Sequence, residues 1–270
     1  MKFTDVKRRG LVMLGCGKMG SAMLEGWLAK GLPSDKVWVI DPHPSDWLRA
    51  RGVHLNADLP ADPAIALVAV KPQMMEEALP QLARYGGGGT LVISVAAGTP
   101  IATFEAALGE NTRVVRAMPN TPAAIGKGIT AIIGNGASDA GDMDLAAALL
   151  EAVGQVVRLE TEDQIDAVTG VSGSGPAYVF YMIDALAAAA RAEGLPDGMA
   201  MDLAKATVAG AGALAMAAGE TPEQLRVNVT SPNGTTQAGL EVLMDPRTGL
   251  GPLMRATVTA AAERSRALKG

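Results

Sequence analysis

Gly15, Gly17 and Gly20 stand in the order G-x-G-x-x-G within the stretch Gly15-Cys16-Gly17-Lys18-Met19-Gly20. This spacing suits the binding of a dinucleotide through its pyrophosphate. Gly15 permits a tight turn. Gly17 lacks a Cβ, so a pyrophosphate can approach the backbone. Gly20 lets the following helix pack close to the preceding strand. The unpaired N–H groups at the start of that helix then face the phosphates. Two further stretches lie far downstream: 171–177 reads VSGSGPA and 230–239 reads TSPNGTTQAG. Each is a glycine- and hydroxyl-rich turn at the start of a predicted helix, where free N–H groups bind anions, carboxylates included. Ser174, and Thr235 or Thr236, equally fit the part of helix caps; the two roles are compatible, because both use the same N–H groups.

A bound nicotinamide would need an acceptor held near it. Oxidation of an alcohol usually calls for a histidine or lysine base. The two histidines, His43 and His54, fall around the second predicted strand and the start of the third, on the adenine side of a dinucleotide, and read as surface residues. The helical half of the chain holds only Lys205, in mid-helix, and Lys269, in the terminal tail. Hydroxyls and backbone amides are plentiful there instead. An acceptor held by its carboxylate, with no strong acid nearby, points to a carbon–nitrogen double bond, because a protonated imine is already electrophilic and needs orientation above all. Cys16 sits inside the glycine turn and reads as a small residue there. No metal site is expected.

The elements that must position these residues alternate in the first half of the chain. Apolar runs at 11–14, 37–40, 65–70, 91–94 and 112–116 read as strands, and 21–30, 45–51, 74–84 and 101–108 as helices. Strands separated by helices make a parallel, doubly wound sheet. Ligands bind beyond the carboxyl ends of such strands. The polar residues that end them therefore gather on one edge: 15–19, Asp41, Lys71-Pro72, Ser94 and Asn120. Runs at 129–133 and 155–159 flank a helix over about 138–153 and extend the same sheet. From Gln164 onward no strand is predicted, and helices are expected over 176–193, 197–218, 222–229, 235–243 and 251–268. The reading divides the chain into a dinucleotide-binding domain over 1–163 and an all-helical domain over 164–270.

With 49% hydrophobic residues against 19% charged, the 270-residue chain can bury a sizeable core, and with 3% aromatics that core must be aliphatic. A net charge of −5 leaves no basic footprint for nucleic acid. One cysteine excludes an internal disulfide. Lys2, Lys7, Arg8 and Arg9 are followed by no apolar signal region, and no apolar run is long enough for a membrane span. A reducing, cytoplasmic location is expected. The Ala/Gly-rich stretches 185–190 and 206–218 offer little polar surface and call for burial at short distance, most simply against a second copy of the chain.

These motifs together resemble the pyrroline-5-carboxylate reductases over almost the whole chain, from about Leu11 to about Thr259. The resemblance is carried by GCGKMG at 15–20, AVKPQ at 69–73, SVAAG at 94–98, RAMPNTP at 116–122, AVTGVSGSGPAYVF at 167–180 and VTSPNGTTQAGL at 229–240. It implies a Rossmann-type sheet domain followed by an all-helical dimerisation domain, in homodimers that can join into larger rings. It implies reduction of 1-pyrroline-5-carboxylate to L-proline with NADPH or NADH. By position, Gly15, Gly17, Lys18 and Met19 match the family's pyrophosphate loop and Asn56 matches an asparagine near the adenosine. Ala69, Lys71 and Pro72 match the ribose and nicotinamide side, and Asn120 the nicotinamide side. Gly234, Thr235 and Thr236 match the turn whose amides hold the substrate carboxylate, with the Thr236 hydroxyl on the ring nitrogen. Ser174 belongs to the other substrate-side helix start.

Two departures stand out. Asn233-Gly234 replaces a pair of glycines, a change that asparagine's tolerance of left-handed backbone accommodates. Asp41 falls 21 positions after Gly20, where an acid usually bonds the ribose 2′-OH and repels a 2′-phosphate. Pro42, His43 and Pro44 follow it, and the nearest arginine is Arg49. Two other readings stay open: a hydroxyacid dehydrogenase of similar plan, which would need Lys205 as its base, and a nucleotide sensor without turnover.

Overall fold

The computed structural model describes residues 4–268. A short helix α1 (Thr4–Arg9) precedes β1 (Leu11–Leu14), and α2 (Lys18–Ala29) follows the glycine loop. The helix α2 buries Gly20, Met23, Leu24 and Trp27, one stripe at helical spacing. Next come β2 (Val37–Ile40), α3 (Asp46–Arg49), the two-residue β3 (His54–Leu55), β4 (Ile65–Val68), α4 (Met75–Ala78), β5 (Leu91–Ser94), α5 (Ile101–Leu108) and β6 (Val114–Met118). The sheet closes with β7 (Gly128–Gly134), α6 (Ala140–Leu150) and β8 (Gly154–Arg158).

The eight strands lie in the order β3-β2-β1-β4-β5-β6-β7-β8, so the order reverses between β1 and β4. The pairing of β6 with β7 is antiparallel and all others are parallel. The short connection from β6 to β7 has no room for the crossover that a parallel pair requires. Each central strand is buried on both faces. Leu11, Met13, Ile65, Leu67, Leu91 and Ile93 enter one apolar cluster, while Val12, Leu14, Ala66, Val68 and Val92 enter the other. Continuous apolar runs result, as in sheets covered on both sides.

Several expectations shift. The strand predicted over 65–70 ends at Val68, and the one over 112–116 runs Val114–Met118. The helix expected over 74–84 is three pieces: a 3₁₀ turn Pro72–Met74, α4, and a 3₁₀ stretch Leu79–Tyr85. Pro80 lacks the N–H that a continuous helix needs. β3 and α1 were not anticipated, being too short to show a period.

Beyond the sheet lie α7 (Gln164–Val168), α8 (Gly175–Ala192), α9 (Asp197–Ala217), α10 (Pro222–Asn228), α11 (Thr235–Leu243) and α12 (Leu250–Ala267). The glycine- and serine-rich stretch expected to open a helix at 171–177 leads into α8 by way of a further helical turn. Thr169–Gly173 is a π-helical turn, with Thr169 Oγ1 donating to the Ile165 carbonyl and Ser172 Oγ to that of Val168. Ser174 keeps helical angles rather than the extended angles of a usual cap, and makes no side-chain cap bond.

The described residues form two compact units: one holds 4–173 and 261–268, the other Ser174–Ala260. Within the first unit, the Ser265 hydroxyl donates to Asp166 Oδ1 at 2.8 Å and anchors the end of α12 on α7. In the second, α8 packs on α9. Among the residues described, no helix is long and apolar enough to cross a membrane.

Candidate functional site

The glycine loop joins β1 to α2 and its three glycines do different things. Gly15 has φ +81°, and a Cβ there would lie 3.0 Å from the Ala69 carbonyl oxygen. A Cβ on Gly20 would stand 2.9 Å from the Gly15 oxygen. Gly15 thus sits tight against the end of β4, and Gly20 closes the loop onto its own backbone. Gly17 has ordinary extended angles, and a Cβ there would meet nothing within 4 Å. Its backbone therefore faces open space, and α2 begins at the next residue with unpaired N–H groups. This cradle fits a pyrophosphate. Lys18 is exposed beside it, whereas Met19 packs partly on the core.

Asp41 ties this loop to the end of β2. Its Oδ2 accepts the Cys16 N–H at 2.8 Å. Asn56 brackets Asp41 from the end of β3: its Oδ1 accepts the Asp41 N–H and its Nδ2 donates to the Asp41 carbonyl, both at 2.9 Å. Ala69 donates its N–H to the Leu14 carbonyl at 2.8 Å, and Lys71 and Pro72 lead the exposed turn after β4. A cleft of ≈ 230 Å³ opens past the ends of β1 and β2, with Pro42, Asn56, Met74, Glu77 and Gln81 on its walls. The structure thus brings 15–19, Asp41, Asn56 and Ala69 together at the sheet edge. Glu77 and Gln81 were missed. Met74, Glu77 and Gln81 come from three successive short elements, the 3₁₀ turn, α4 and the 3₁₀ stretch after it, so no single helical period marked them.

Asn120, at the end of β6, accepts the Ile129 N–H at 2.9 Å and donates to the Ser172 carbonyl at 3.2 Å. Its amide therefore also joins β7 to the π-helical turn. Ser94 is fully buried, its hydroxyl accepting the Ala96 N–H. Burial, and then the nearby Asp41 charge, push the Cys16 thiol up to about 12, so it is protonated at neutral pH and a poor nucleophile. His54 stacks on Trp38 with ring centroids 4.5 Å apart. Lys205 is exposed on α9, and Lys269 lies outside the described residues. Among the described residues no cluster of His, Cys, Asp or Glu could hold a metal ion.

In the second unit, Asn233 adopts φ +55° and Gly234 caps α11 in extended geometry. A Cβ on Gly234 would lie 3.0 Å from the Ser231 oxygen, so only glycine fits that close approach without a shift. Gly234 gives its own N–H to the Ser231 carbonyl at 3.0 Å. The unpaired amides are therefore those of the first turn proper, Thr235, Thr236 and Gln237. Both threonines are exposed, and among the described residues neither hydroxyl serves as the cap.

A family described as pyrroline-5-carboxylate reductase dimerisation matches residues 162–268, and one described as NADP oxidoreductase, coenzyme F420-dependent, matches 11–98. The chain is 37% identical to the pyrroline-5-carboxylate reductase of Pseudomonas aeruginosa, over 94% of this chain and 95% of that one. It is 39% identical to that of Synechocystis sp., over 96% and 97%. The solved structure of a pyrroline-5-carboxylate reductase from Coxiella burnetii superposes with a TM-score of 0.91 at 33% identity, over 97% of this chain and 99% of that one. The Plasmodium falciparum pyrroline carboxylate reductase with NADP bound gives 0.83 at 26%, over 98% and 99%.

Proposed function

The chain belongs to the pyrroline-5-carboxylate reductase family, and from that premise we infer that its sheet domain holds NAD(P)H while its helical domain holds a cyclic imine by its carboxylate. The reaction is the reduction of 1-pyrroline-5-carboxylate to L-proline, the last step of proline synthesis. A reduced nicotinamide, when bound, supplies the hydride that goes to the carbon of the C=N bond. Cofactor binding falls to 1–163, through Gly15, Gly17, Lys18, Met19, Asp41, Asn56, Ala69, Lys71, Pro72 and Asn120. Substrate binding and dimerisation fall to 164–270.

The single observation that carries the substrate roles is the unpartnered first turn of α11. The N–H groups of Thr235 and Thr236 hold the substrate carboxylate, which the positive end of the helix favours. Gly234 shapes that turn, with its own N–H engaged by Ser231. Thr236 Oγ1 accepts the N–H of the protonated imine. A hydroxyl both donates and accepts, so it keeps this contact as the nitrogen becomes an amine. Ser174 completes the substrate side at the start of α8.

The protein works as a homodimer, a state supported by the dimerisation family matched over 162–268. The second unit leaves Phe180, Tyr181, Leu186, Met199, Leu203 and Leu214 exposed, an apolar surface that a second copy would cover. Rings of dimers and a cytoplasmic location complete the proposal.

Steady-state assays with 1-pyrroline-5-carboxylate and each reduced nicotinamide test it. Saturable turnover is expected, unchanged by Lys205→Ala. Oxidation of a hydroxy acid that is lost in Lys205→Ala, or tight NAD(P)H binding with no turnover, would overturn it.

A further inference from the structure

The Asp41 carboxylate is held from two sides. Oδ2 accepts the Cys16 N–H and Oδ1 accepts the His43 N–H, each at 2.8 Å. The Asn56 amide fixes the Asp41 backbone as well, from a residue that itself sits at φ +49°. A carboxylate offers about four lone-pair positions, so one acceptor position remains free on each oxygen. The group cannot turn away without giving up two bonds to backbone N–H groups. It is a fixed negative charge beside the glycine loop.

Among the described residues no lysine or arginine is bonded to that carboxylate, and Lys18 of the glycine loop is exposed. The adjoining cleft is lined by Glu77 and by no lysine or arginine. The segment from Asp41 to Asp46 holds two acids and one histidine, and no lysine or arginine. The Ser45 hydroxyl accepts the Leu48 N–H as the cap of α3 and brings no positive charge. Arg49 stands at the far end of α3.

We propose that this chain selects NADH over NADPH, with the Asp41 carboxylate as the discriminating group and Asn56 as the residue that positions it. The proposal rests on the dinucleotide lying at the glycine loop. There the two free acceptor positions of Asp41 take the two hydroxyls of the adenosine ribose. A 2′-phosphate removes one of those donors and sets its charge against a carboxylate that cannot move aside.

The test is calorimetric titration of the full-length protein with NADH and with NADPH, without substrate. NADH should bind at least about tenfold more tightly. The ratio should narrow at high salt, because part of it is charge repulsion. Asp41→Asn should bring the ratio close to one, and Asn56→Ala should lower it while NADH still binds. Thermal melts establish that each variant is folded. Equal affinities in the unaltered protein, tighter binding of NADPH, or a salt-independent ratio would overturn the proposal. An unchanged ratio in folded Asp41→Asn would do the same. Binding of neither dinucleotide would sink the cofactor reading itself, whereas binding of both without preference would sink only this inference.

Discussion

Thr236 illustrates what one hydroxyl can be asked to do. Thr236→Val keeps volume and branching and removes only the oxygen. Loss of one hydrogen bond to the reacting nitrogen should cost about 1–3 kcal/mol, or roughly tenfold to a hundredfold in kcat/KM for 1-pyrroline-5-carboxylate. Cofactor affinity should hold, and so should the melting temperature, because Gly234 rather than Thr236 caps α11. Full activity in the variant would leave the two threonine amides as the main substrate contacts. Cys16 makes an opposite case. Its thiol titrates at about 12 in the fold against an ordinary 9.0. The unfolded chain therefore loses this proton first, and the stability due to Cys16 falls as pH rises from about 9 towards about 12. Iodoacetamide should label the native protein far more slowly than the denatured protein at pH 8, and Cys16→Ala should flatten the alkaline decline in melting temperature. Rapid native labelling would contradict this burial.

At the scale of elements, the loop between β1 and α2 separates backbone need from access. Gly15 requires glycine for its positive φ, and Gly20 for contact with the Gly15 oxygen. Gly17 needs neither, since a side chain there would meet only open space. Gly17→Val should therefore leave the melting curve nearly unchanged and weaken NAD(P)H binding at least about tenfold, since its branched side chain would fill the pyrophosphate's approach. Gly15→Val should instead destabilise the sheet domain. Unaltered NAD(P)H affinity in folded Gly17→Val would move the cofactor away from this loop. The two helix starts read from similar glycine- and serine-rich stretches also turned out unlike each other. One is a free N-terminus at Thr235, and the other follows a π-helical turn.

Across the whole molecule, the two units differ in where their apolar residues go. The sheet buries its central strands β1, β4 and β5 on both faces. By contrast, α8 buries only Ala187, and α9 only Ala200 and Ala204. Phe180 remains 61% exposed and Tyr181 75%, fractions that a lone chain would rarely leave to water. Sedimentation at low micromolar concentration should show no monomer. A stable, active monomer would refute the dimer.

The sequence by itself determined what short range decides. Continuous apolar runs marked β1 and β5 at their true bounds, because a strand buried on both faces has no polar interruption, and the apolar run of β2, whose burial alternates, was bounded by Asp41-Pro42. The G-x-G-x-x-G spacing marked the loop, and helical periodicity marked α5 and α11 to the residue. Only the tertiary structure decided what distant partners settle. The antiparallel turn of β7 follows from a short connection, and β3 exists because Trp38 and Val39 offer it an edge. Asp41 read as an acid at a ribose position, but its bonds to Cys16 and His43 and its bracket from Asn56 appear only once β2, β3 and the glycine loop meet. Gly234 likewise read as a free amide until its N–H was found on Ser231. A residue's type and spacing say which bonds it can make; which of them are already taken depends on neighbours that only folding brings within reach.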